Sequence, residues 1–137
     1  MLKTVGGIVA GLAAAMVVIM AMEFLGHSIY PGPAEAAVGS AEGVPHSGAP
    51  IPLAASMFVV LAWFAGAAAG AAVAVRIAAR NWAAWVIGGS IALAGLANVL
   101  MMLHPVWMQI AAVVVPVVGA LVGGHLASRG RRTDARA

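Results

Sequence analysis

LAASMFVVLAWFAGAAAGAAVAV, Leu53–Val75, carries no charged side chain and a single hydroxyl, Ser56. A transmembrane helix needs about 20 consecutive, mostly apolar residues, and this stretch supplies them. Once it is read as a membrane span, the rest of the chain falls into the same pattern. Further apolar runs extend from about Thr4 to Leu25, from about Trp82 to Leu103 and from about Val106 to Ala127. The expectation is an all-α integral membrane protein. Its single domain, residues 1–137, is a compact antiparallel bundle of four transmembrane helices, with a loop over 26–52 and a basic tail over 128–137.

Composition agrees. Of 137 residues, 64% are hydrophobic and 8% charged, against about half and a quarter in a soluble domain. The absence of cysteine excludes disulfides, thiolate metal sites and cysteine nucleophiles. A formal charge of +3 and a pI near 10.7 would suit nucleic acid. The basic residues, however, sit in short patches flanking the apolar runs, where they act as topology signals. The expected partner is therefore the lipid bilayer and not nucleic acid.

Those patches set the orientation. Lys3 precedes the first span, Arg76 and Arg80 separate the second from the third, and Arg129, Arg131, Arg132 and Arg136 follow the fourth. The loop after the first span holds Glu35 and Glu42 and no lysine or arginine. The positive-inside rule then places both termini in the cytoplasm, as a multi-pass protein of the bacterial inner membrane. Lys3 ahead of an apolar region is also the opening of a cleaved signal. The apolar core is longer than the 7–15 residues of such a signal, so an uncleaved helix is expected.

Burial alone does not drive helices together in lipid; close packing of small residues does much of it. Gly7-x3-Gly11, Gly66-x3-Gly70 and Gly119-x3-Gly123 offer such faces. They serve either packing within the chain or association into a homo-oligomer or larger membrane complex. Pro116, mid-span, removes one backbone bond and predicts a kink. Trp63, also mid-span, is read as packing.

The few polar residues in or beside the spans carry the functional question, because ionisable groups there are costly and face protein or water. Met16, Met20, Glu23 and His27 are spaced to share one helical face. His104 closes the third span at the same membrane depth, with Asn98 below it. Pro31 disfavours helix at Tyr30, so the first helix ends near there and lifts His27 into the interface. Two imidazoles and a carboxylate form a ligand set for a divalent metal such as zinc, with Glu23, His27 and His104 as ligands. The same residues also suit a hydrogen-bonded rim, and Glu23 alone suits a proton carrier or an anchor to head groups. Thioethers suit copper(I), although methionine is more often an adaptable core filler. No phosphate loop or nucleophile motif is present, so no catalytic residue is expected.

EFLGHSIYPGP (Glu23–Pro33), the glycine-rich second span and NVLMMLHPVWMQ (Asn98–Gln109) together carry a further pattern. It resembles a family of small, uncharacterised four-helix bacterial membrane proteins. That family has Glu-x3-His-x2-Tyr-Pro closing helix one and His-Pro-x-Trp after helix three. The resemblance runs from Glu23 to Trp107 and implies that Glu23, His27, Tyr30, Asn98, His104 and Trp107 form a shared polar rim. The expected function is binding of a small ligand, metal ion or partner complex in an outward-facing pocket. The alternative is a small proton-linked transporter using Glu23.

Overall fold

A computed structural model describes residues 1–29, 53–101 and 106–134. Among the described residues are four α-helices: α1 (Leu2–Ile29), α2 (Leu53–Ala78), α3 (Ala83–Met101) and α4 (Val106–Asp134). Each is long and apolar enough to cross a membrane. Three of the helices exceed the expected spans, while α3, expected over 82–103, is described over Ala83–Met101. α1 starts two residues earlier and continues through His27 to Ile29. α4 runs past Ala127 through Arg129 and Gly130 to Asp134, so the start of the basic tail is helical. Alanine and arginine are strong helix formers, and charge alone does not stop a helix.

The core is built largely from residues with little or no side chain. Ala62, Ala67, Ala71, Ala74, Ala83 and Ala112 are completely buried. The exposed surface is the apolar one: Val9, Val17, Phe24, Leu93, Ile110 and Leu126 all point outward. A surface of that kind suits hydrocarbon rather than water. Trp63 is buried as expected, and Trp82 and Trp85 are exposed.

α2 is the hub and packs against all three other helices. Along α1, Gly7 meets Ala74 and Ala78, Gly11 meets Gly70, Ala15 and Ile19 meet Gly66, and Gly26 meets Phe58. Numbers rise on one helix as they fall on the other, so the pair is antiparallel. A Cβ on Gly11 would lie 2.6 Å from the Gly70 carbonyl oxygen, and one on Gly70 would lie 2.6 Å from that of Gly11. The two backbones touch.

On another flank of α2, Gly119 approaches Phe64 and Gly123 approaches the Ala68 carbonyl. Here the numbers rise together, so α2 and α4 run parallel, as alternating spans require. All three Gly-x3-Gly ridges are thus occupied inside the chain. α3 closes the bundle against α4, with Gly88 at Ala120 and Gly95 at Ala112. α1 touches α3 lightly and, among the described residues, does not touch α4.

This packing brings the described basic residues together. Gly7 at the start of α1 lies against Ala78 at the end of α2. A Cβ on Gly130 of α4 would lie 3.9 Å from the Arg76 guanidinium. Lys3, Arg76 and Arg129 therefore share one end of the molecule, called here the basic end. α2 and α3 are joined there by a short turn with Ala79 in the left-handed region, φ 55°. That residue is the helix-terminating position glycine usually fills.

A candidate polar rim at the end opposite the arginines

Glu23 follows the α1 packing stripe. Gly7, Gly11, Ala15 and Ile19 are buried at four-residue intervals, and Glu23 is the next position in that series. It is half-buried, whereas Met20 before it and Phe24 after it are exposed. Side chains four apart lie one above the other with a slow rotation round the helix. The carboxylate therefore stands at the rim of the α1 contact face and not among the exposed apolar side chains opposite.

His27 is exposed, one turn further on. Its Nδ1 lies 2.9 Å from the main-chain oxygen of Glu23. A carbonyl oxygen only accepts, so Nδ1–H donates, and a neutral ring then presents a bare Nε2. Ser28 Oγ donates in the same way to the Phe24 carbonyl at 2.9 Å. Both carbonyls already accept the backbone N–H of the same residue, four positions on in the helix, so each side chain adds a second bond to an acceptor with two lone pairs. The spacing that suggests a carboxylate–imidazole pair thus delivers the imidazole to the backbone of Glu23. An imidazole held through Nδ1–H on a carbonyl is also the usual arrangement of a metal-binding histidine, and Nε2 is the atom that would bind.

Asn98 lies near the end of α3 and is exposed. Trp107 opens α4 and is partly exposed at 38%. Both stand at the Glu23 end, because α3 rises from the basic end and α4 returns to it. Tyr30 and His104 lie outside the described residues. Among the described residues, no three histidines, cysteines or acids are gathered closely enough to hold a metal, and the third expected ligand, His104, is not among them. Ser56, the single hydroxyl of the second span, is buried near the start of α2. A hydroxyl inside an apolar run gives no warning that its side of the helix faces the protein. At the basic end, Ser128 Oγ donates to the His125 carbonyl at 2.8 Å, and His125 is exposed.

No protein-family model, curated protein or solved structure matches the chain.

Proposed function

We propose that this is a multi-pass protein of the bacterial inner membrane, both termini cytoplasmic, that binds a small ligand, metal ion or partner complex at an outward-facing rim. The rim is built on Glu23, His27 and His104, flanked by Tyr30, Asn98 and Trp107. One observation carries the reading. Glu23 is half-buried at the top of the α1 packing stripe, directly above a seam closed by backbone contact between Gly11 and Gly70. A costly group held there, next to an imidazole with its Nε2 free to act, is better explained by binding than by anchoring.

The alternative, a proton-linked transporter, needs a polar path from Glu23 to the basic end. Below Glu23 the α1 stripe offers Ile19, Ala15, Gly11 and Gly7, and α2 answers with Gly66, Gly70, Ala74 and Ala78. None of these has a polar side chain. A one-sided site is therefore favoured. Association with a second copy or a larger complex would use helix faces other than the three glycine ridges.

Elemental analysis of protein purified without a polyhistidine tag tests for a bound metal. A double-mutant cycle between Glu23→Ala and His104→Ala tests the rim itself, with a coupling above about 0.5 kcal/mol expected for contacting residues. Additivity together with absence of metal would discard the shared rim. Alkaline phosphatase fused after Ala137 should be inactive; activity would overturn the orientation.

A further inference from the structure

We infer that the rim opens sideways, through a cleft between α1 and α3, and that its ligand is an aminophospholipid of the outer leaflet. The inference rests on the binding role and orientation proposed above, and it names the class of ligand.

The cleft follows from one face of α3. Ile87 is completely buried and reaches into the angle between Gly11 and Gly70, where a Cβ on Gly11 would lie 3.1 Å from its Cδ1. Asn98 stands eleven residues further on, within about 20° of three full turns, so it occupies the same face. Ala94, seven residues on, shares it too. Both are exposed. The face that α1 covers near the basic end is therefore uncovered at the other end.

The matching flank of α1 behaves in the same way. α1, α3 and α4 are ranged in that order round α2. The right-handed sense of the helix then turns toward α3 the flank of α1 that carries Leu12, Met16, Glu23 and His27. Leu12 packs on the core. Met16 and Met20 are 54% and 63% exposed. Depth agrees as well. Glu23 lies twelve residues above Gly11 and Asn98 eleven above Ile87, about 18 Å and about 16 Å at helical rise. The two helices part as they leave the basic end, and Glu23 and Asn98 face the gap at one level.

The chemistry of the gap selects its occupant. A carboxylate and a carboxamide oxygen accept hydrogen bonds from a primary ammonium, and the carboxamide N–H can donate to the adjoining phosphate. Every lysine and arginine lies toward the other end of the chain's spans, so a purely anionic head group finds no cation here among the described residues. Below the polar pair, Met16 and Met20 offer a flexible apolar track for an acyl chain. A soluble ion needs no such track and no lateral mouth.

The test uses the full chain, extracted into micelles containing equal phosphatidylethanolamine and phosphatidylcholine, with retained lipid read by native mass spectrometry. The wild type should favour the ethanolamine lipid about tenfold, the worth of one charge-assisted hydrogen bond. Glu23→Gln and Asn98→Leu should each bring the ratio close to parity, with helicity by circular dichroism unchanged. Asn98→Leu changes an exposed side chain and keeps the test valid if Glu23→Gln misfolds. Parity in the wild type, or full preference in both variants, overturns the inference. Parity combined with a coupled Glu23–His104 cycle removes the lipid and leaves the rim. Lipid preference combined with an additive cycle supports the cleft and removes the rim partner.

Discussion

Gly95 of α3 lies against the backbone of Ala112 on α4, where a Cβ on Gly95 would be 3.3 Å from the Ala112 carbonyl oxygen. That oxygen is the one left without its helical donor by Pro116, four residues on, because proline has no N–H. Pro116 is fully buried inside a continuous α4. In hydrocarbon a carbonyl without a donor is costly, and neighbouring helices can compensate. The glycine lets α3 come close enough for its Cα–H groups to face the freed oxygen, a weak but real attraction.

The pair should therefore be energetically coupled. Gly95→Ala forces α3 away from the carbonyl, against a gain of up to about 1 kcal/mol in helix propensity. It should show a net loss of stability in the native background. In a Pro116→Ala background, where an N–H returns to the Ala112 oxygen, the same change should cost less. Thermal unfolding of the four proteins in detergent gives the cycle. Agreement with additivity within about 0.5 kcal/mol would show that the approach is only geometric.

A second prediction concerns the seam that holds α1. Gly11 and Gly6 are close in sequence and opposite in surroundings. A Cβ on Gly11 meets backbone at 2.6 Å, and one on Gly6 meets nothing within 4 Å. Backbone does not yield as a flexible side chain does. Gly11→Val should cost at least about 1–3 kcal/mol, the usual range for overpacking. It should also loosen α1 from α2, seen as faster proteolysis between them. Gly6→Ala should be neutral or stabilising by up to about 1 kcal/mol. Equal responses at the two positions would contradict the packing described.

Much of this architecture is legible in the sequence because hydrocarbon imposes simple rules. The four spans follow from apolar length, and the close-packed ridges follow from Gly66-x3-Gly70 and its counterparts. What is not legible depends on tertiary partners. Pro116 announces a missing bond but not that Gly95 answers it. Glu23 and His27 announce a shared face but not that Nδ1 chooses the carbonyl of Glu23, since a side chain four residues on lies over both groups. Nor does any local pattern reveal that α1 contacts α2 along its length and, among the described residues, leaves α4 untouched. The meeting of Glu23 and His104 rests on depth alone, because His104 lies outside the described residues.

The turn at the basic end supplies a third test. Ala79 holds φ 55°, and a left-handed conformation costs an L-residue roughly 1–2 kcal/mol that glycine avoids. Glycine also loses more freedom on folding, which offsets part of the gain. Ala79→Gly should raise stability by about 0.5–1 kcal/mol without altering the rim. A rise in melting temperature with unchanged lipid retention is the expected result; a fall would mean that the Ala79 methyl makes a contact worth more than the strain.

The last prediction separates a binding role for Asn98 from a structural one. Its carboxamide is exposed near the end of an apolar helix, where hydrocarbon or a ligand is its neighbour. A polar side chain that stabilises the bundle would lose a hydrogen bond on replacement by leucine, at about 0.5–1.5 kcal/mol. One kept for binding should do the reverse, since functional positions are commonly held at a cost to stability. Asn98→Leu should therefore melt at the same temperature as the wild type or higher, measured in a choline-lipid or ligand-free micelle. Adding ethanolamine lipid should raise the wild-type melting temperature more than that of the variant, because a ligand stabilises only the state that binds it. A variant that melts lower in the absence of lipid would assign Asn98 to a bond within the protein. In that case α1 and α3 are bridged at this level and the cleft is closed.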